Sequence, residues 1–156
     1  MRKKLGQRIN LASAEEPPVP PGECVFERTF PASNETKNEV LDALLANLQR
    51  RGAMSRPEDE MRVRLCLDEA LLNAVMHGCQ YDLAKTIRVR AYAGAGKWSV
   101  LVEDPGQGFN EEDLPEPNDA GNLLEESGRG ILLMRSLMDE VSYWRGGSAV
   151  LLSRRL

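Results

Sequence analysis

One stretch constrains this chain more than any other. Between Ser55 and Gly78, Met61, Leu65, Leu67, Leu71, Leu72 and Val75 recur at helical spacing, while Glu69, Asn73 and His77 follow one another at i, i+4, i+8. The spacing predicts one helix, with Ser55 and Glu58 as a capping box and Gly78 as the stop. Leu67, Leu71 and Val75 can face a core, which leaves a polar line of a carboxylate, an amide and an imidazole for a ligand or for solvent.

Other elements are arranged around that helix. Cys24, Phe26 and Phe30 alternate with Val25, Glu27 and Thr29 as in a strand, with Arg28 on the apolar side. Ser33 can cap a helix carrying Val40, Leu41, Leu44, Leu45 and Leu48, which must end at Gly52. Ile87, Val89 and Ala91 followed by Trp98 to Val102, with Gly94 and Gly96 between, read as a hairpin running into Asp104. Residues 110–127 hold seven acids, two prolines, one glycine and no Lys or Arg, a composition suited to a long mobile loop. A third helix is expected over Gly130 to Met138, and Val141 to Trp144 with Ala149 to Leu152 form a closing hairpin through Gly146 and Gly147. Trp98, Tyr143 and Trp144 read as core or sheet-face residues, and Met134 and Met138 as helix packing. Four of the nine prolines fall in residues 1–22, which read as a flexible extension before a single domain over 23–156.

Composition narrows the function. No run approaches the roughly 20 apolar residues that span a bilayer, so no membrane role is expected. The net charge of −4 gives no general attraction to phosphate backbones, so no direct nucleic-acid partner is expected either. Three scattered cysteines, Cys24, Cys66 and Cys79, and the single histidine His77 make no zinc pattern and point to free thiols in a reducing cytoplasm.

Two further segments carry chemistry. Asp104-Pro105-Gly106-Gln107-Gly108 ends a hydrophobic strand: the carboxylate can accept from an exocyclic amine while the glycines let the backbone close around a planar base. The same residues also make an ordinary turn. Ser127-Gly128-Arg129-Gly130 precedes a helix, where freed N–H groups and the helix end suit phosphate oxygens, or simply join loop to helix. Neither a GxxxxGK[ST] loop nor a GxGxxG after a first strand is present. His77 beside Gly78 is either a helix-end residue favoured by the dipole or part of a pocket.

Taken in order, Glu69-Ala-Leu-Leu-Asn73-Ala74, Asp104-Pro-Gly106-Gln-Gly108 and Gly128-Arg-Gly130 resemble the asparagine box and two glycine boxes of the GHKL ATPase superfamily. Asp68-Glu69-Ala70, His77-Gly78, Ser127 to Ile131 with Met134, and Met138-Asp139-Glu140-Val141 are similar to the anti-sigma-factor serine kinases of the RsbW and SpoIIAB type, over about residues 24–156. The resemblance implies an α+β two-layer sandwich, the Bergerat fold, with a mixed, mostly antiparallel sheet and helices packed on one face. It implies that Asn73 ligates Mg²⁺ bound to ATP, with His77 beside it, and that Asp104 holds the adenine amine. Gly106 and Gly108 would line the base pocket, and Gly128, Arg129 and Gly130 would contact phosphates. Residues 110–127 would be the ATP lid, Ser148 would stand near the adenine, and Glu69 would be the general base for a protein serine hydroxyl.

The implied function is an ATP-dependent protein serine kinase and anti-sigma factor. It would bind a sigma factor and phosphorylate an anti-anti-sigma (STAS-type) protein, as a homodimer. The rival is an ATP-binding module that switches partners without catalysis. Glu69 speaks for the enzyme, because binding alone needs no base one turn before the metal ligand. A histidine-kinase catalytic domain fits poorly, since the only histidine lies inside the helix that carries Asn73. A gyrase- or chaperone-type ATPase would need transducer domains beyond 156 residues.

Overall fold

The computed structural model describes residues 16–54, 56–106 and 136–155. They form five strands and two long helices in the order β1 (Glu23–Pro31), α1 (Asn34–Arg50), α2 (Pro57–Asn73), β2 (Thr86–Gly94), β3 (Lys97–Glu103), β4 (Glu140–Trp144) and β5 (Ala149–Arg155). The strands make one sheet in the order β1-β2-β3-β5-β4, and each described pairing is antiparallel.

Both layers follow from side-chain periodicity. Ser33 caps α1, its Oγ accepting the Thr36 N–H, and Gly52 takes a positive φ just beyond the last turn. Val40, Leu41, Leu44, Leu45 and Leu48 are buried against Val63, Cys66, Leu67, Ala70 and Leu71 of α2 and against Phe26, Phe30, Ile87, Val89, Val100 and Leu152 of the sheet. Residues Ala95 and Gly96, both at positive φ, join β2 to β3 as the left-handed two-residue turn of a tight hairpin. Gly94 belongs to β2 rather than to the turn. β3 is buried on both faces: Trp98, Val100 and Val102 point to the helices, and Leu101 joins Ala149, Leu151 and Trp144 in a second, smaller cluster. Its nearly unbroken apolar run is the sequence mark of that double burial.

Three further expectations change. The N-cap of α2 is Arg56, with Pro57 at the first helical position, so the Ser55/Glu58 box is not the cap; Ser55 itself lies outside the described residues. Proline has no N–H to leave unpaired there, and Arg56 Nε reaches Asp59 Oδ2 at 3.3 Å. Met61 and Leu65 are exposed, at 65% and 48%, because a 100° step puts them opposite Val63, Leu67, Ala70 and Ala74. Cys24 is exposed because a bulge between Cys24 and Phe26 resets the alternation. Arg28 stays on the side of Phe26 and lays its guanidinium 4.6 Å from the ring centroid. Of the third helix only its end is described, with Met138 buried; Gly130 and Met134 lie outside the described residues. Of the N-terminal extension, Glu16–Gly22 is described: Pro20 is buried, and Glu16 reaches Arg145 at 3.7 Å.

Candidate functional site

The α-helical hydrogen-bond pattern of α2 stops at Asn73 and one wider π-helical turn, Ala74–Gly78, follows. The Cys79 N–H donates to the Ala74 carbonyl at 2.9 Å, and Gln80 and Tyr81 then turn the chain away at positive φ. Such single π-turns insert one residue into a helix and frequently mark functional sites. This one carries His77 and Gly78 up to the end of β3.

A cleft opens there, lined by Ala70, Asn73, Ala74, His77, Gly78, Val102, Asp104, Tyr143, Gly147, Ser148 and Val150. Asn73 and His77 from the end of α2 thus share one space with Asp104 and Ser148 from far along the chain. Gly106 holds the cleft's carboxylate: its N–H donates to Asp104 Oδ1 at 2.7 Å. A Cβ on Gly78 would stand 2.3 Å from Asp104 Cγ, and one on Gly106 would stand 2.5 Å from the Gly78 carbonyl oxygen. Only glycine at both positions allows the carboxylate to seat so closely.

Asp104 is held from behind by its own N–H, which donates to the Ser148 carbonyl at 2.9 Å. Burial pushes its carboxyl up to about 6, against the pull of the Gly106 N–H and of the positive Arg145 and Lys85. Asn73 is 8% exposed, and its Oδ1 has no hydrogen-bond partner. A buried amide oxygen without a donor is costly in the fold and is a good ligand for a cation or an N–H. Ser148, 4% exposed, donates from Oγ to the Arg145 carbonyl at 3.1 Å.

Glu69 is half-buried one turn before Asn73 and is not among the cleft-lining residues. Its neighbour Asp68 accepts from Nζ of the buried Lys37, which ties α1 to this part of α2. Burial pushes the Cys66 thiol up to about 12 and raises that of Cys79 as well, so neither is an activated nucleophile. Gly108, Gly128, Arg129, Gly130 and the segment 110–127 lie outside the described residues.

From sequence, Gly78 reads as a helix stop and part of the His77-Gly78 motif, with no pocket role, and Tyr143 as packing; both are walls of the cleft. The β3–β5 register could have pointed to part of it, since Val102 pairs with Val150 two residues before Asp104.

A slot walled by Val102, Val150 and Tyr143, with a half-buried carboxylate and a buried amide oxygen that lacks a donor, has the make-up of a small-ligand site. Consistent with that, the model of the histidine kinase-like ATPase domain matches residues 30–154, and the chain belongs to this family. The family implies ATP as the ligand.

Among individual relatives, the chain is 28% identical over 104 residues to the anti-sigma F factor of Clostridium perfringens (strain SM101 / Type A), covering 64% of this chain and 74% of that protein. It is 27% identical over 130 residues to the serine-protein kinase RsbW of Staphylococcus aureus (strain MSSA476), covering 79% and 80%. Against the serine-protein kinase RsbW of Bacillus subtilis (strain 168) it is 32% identical over 85 residues, spanning 51% of this chain and about half (53%) of that one.

Proposed function

We propose that this chain is an ATP-dependent protein serine kinase and anti-sigma factor of the cytoplasm. In this reading it binds a sigma factor and phosphorylates an anti-anti-sigma protein on serine, so that the two partners exchange. The observation that carries the reading is the cleft lined by both the half-buried Asp104 and Asn73, whose buried Oδ1 has no hydrogen-bond partner. The names of the relatives, anti-sigma F factor and serine-protein kinase RsbW, supply its biological sense.

The residues fit both ATP and Mg²⁺. Asp104 accepts from the adenine amine, Gly78 and Gly106 let the base approach, and Val102, Val150 and Tyr143 supply apolar walls for it. Asn73 Oδ1 would ligate Mg²⁺, which when bound neutralises charge on the phosphates. Gly108, Gly128, Arg129 and Gly130 would line the rest of the nucleotide path, with 110–127 as its lid. Glu69 would accept the proton of the attacking serine hydroxyl, positioned by the same helix that holds Asn73.

The deciding assay is transfer of labelled phosphate from ATP to a serine of a candidate anti-anti-sigma protein, wild type against Glu69→Gln. Transfer that falls in the variant supports the kinase. The rival reading, a nucleotide-dependent switch without catalysis, draws on Glu69 standing outside the cleft wall. No transfer by wild type to any such protein, with ATP-dependent capture of a partner intact, would favour that rival.

A further inference from the structure

Behind the cleft, on the sheet face turned away from the helices, lies a charged cluster that the proposed chemistry does not use. Glu103 and Asp104 are consecutive at the end of β3, so one side chain goes to each side of the sheet. Glu103 divides its carboxylate: Oε1 accepts from Arg90 Nη2 at 2.7 Å and Oε2 from Arg145 Nη2 at 3.1 Å. The three side chains are 14%, 18% and 29% exposed, in the order Glu103, Arg90, Arg145. A charge-assisted pair so withdrawn from water is oriented more firmly than a surface pair.

Arg145 opens the short turn Arg145–Gly147 between β4 and β5. It sits at φ 51°, and Gly146 and Gly147 follow at 70° and 107°. Glycine adopts such backbone freely, whereas an L-residue does so at a cost, and strain retained at one position points to a task there. The Arg145 carbonyl accepts from Ser148 Oγ at 3.1 Å and from the Ser148 N–H at 3.4 Å. The Ser148 carbonyl in turn accepts the Asp104 N–H at 2.9 Å. The circuit from Glu103 through Arg145 and Ser148 therefore closes on the residue next to where it began.

We propose that Arg145, clamped by Glu103 from the back of the sheet, is a positioning residue that fixes the Asp104–Ser148 wall of the cleft for the base of the nucleotide. The proposal rests on reading Asp104 as the acceptor for the adenine amine. A clamp serving stability alone has no need of an arginine at a backbone position suited to glycine. Arg145 also acts by charge: with Lys85 and the Gly106 N–H it favours the ionised Asp104 against burial. The other groups set around that carboxylate are the Cys79 thiol and the exposed His77 at the cleft mouth.

Arg145→Gly tests this cleanly, because it removes the guanidinium and relieves the backbone at once. ATP affinity is measured by calorimetry from pH 5.5 to 8, with thermal unfolding alongside, for wild type, Arg145→Gly and Arg145→Lys. The expected result is ATP binding weakened about tenfold in Arg145→Gly at neutral pH, the scale of one loosened hydrogen bond to a charged group, with the unfolding midpoint retained. The acid-side fall in affinity moves to higher pH, and Arg145→Lys recovers most of both effects. Unchanged ATP affinity with an unmoved pH profile in Arg145→Gly overturns the proposal. Glu103→Gln leaves the strained turn in place and repeats the measurement should the glycine variant not fold: weaker binding with an intact transition supports the clamp, and unchanged binding overturns it. A wild type that does not take ATP at all overturns the reading of the cleft itself, and that outcome is visible without any variant.

Discussion

Asp104→Asn is expected to stabilise the nucleotide-free protein while weakening its hold on ATP. A carboxyl with an ordinary value of 3.8, pushed up to about 6 mainly by burial, disfavours folding once ionised. At about 1.36 kcal/mol per pH unit the penalty approaches ~3 kcal/mol at pH 7.5. Asparagine has nearly the same shape and can still accept the Gly106 N–H, now 2.7 Å from Oδ1, so roughly 1–3 kcal/mol should be recovered. For a chain of this size that is a rise in Tm of roughly 3–10 °C. The sign sets the pH window. The folded wild type binds more proton than the unfolded chain between pH 4 and 6, so this group's contribution is greatest below pH 4 and is lost as pH rises through 6. The variant lacks that loss, and the Tm gap should open between pH 4 and 6 and stay constant above. ATP affinity should fall roughly ten- to a hundredfold, because the amide offers a donor where the adenine amine needs a charged acceptor. Thermal unfolding across pH and calorimetry with ATP read both quantities. A variant no more stable than wild type at pH 7.5, or a gap indifferent to pH, would refute the assignment of a carboxylate destabilised by partial burial.

Asn73→Ala should remove the Mg²⁺-dependent part of ATP binding and leave the unfolding midpoint within a few degrees, since its Oδ1 has no partner in the fold; titration with and without Mg²⁺ measures it. Gly78→Ala should abolish ATP binding, because the new Cβ falls 2.3 Å from Asp104 Cγ and must displace the carboxylate. Glu69→Gln should lower phosphate transfer by ~10² to 10⁴ with nucleotide affinity unchanged, as removal of a general base does. Lys37→Ala leaves Asp68 without its buried partner and should lower stability by about 1–3 kcal/mol in chemical denaturation, with less effect on ATP affinity than on stability.

The alternation of Ile87, Val89 and Ala91, the capped helix after Ser33 and the two glycine-joined hairpins were legible because each rests on contacts between near neighbours in the chain. The polar positions Asn73 and Asp104 stood out for the same reason: an amide in line with Glu69 and His77 on one helix face and an acid ending an apolar strand are local patterns. Which of two apolar stripes α2 buries was decided by the sheet beneath it, so Met61 and Leu65 face solvent while Ala70 and Ala74 face inward. Tertiary contact likewise set the π-turn at Ala74–Gly78, the pressing of Gly78 and Gly106 onto Asp104, and the clamp from Glu103 to Arg145. Sequence spacing carries the periods of helix and strand, but it carries no distance between residues 78 and 104 or between 103 and 145. Those distances, and with them the burial that perturbs Asp104, exist only once β3, β5 and α2 have packed together.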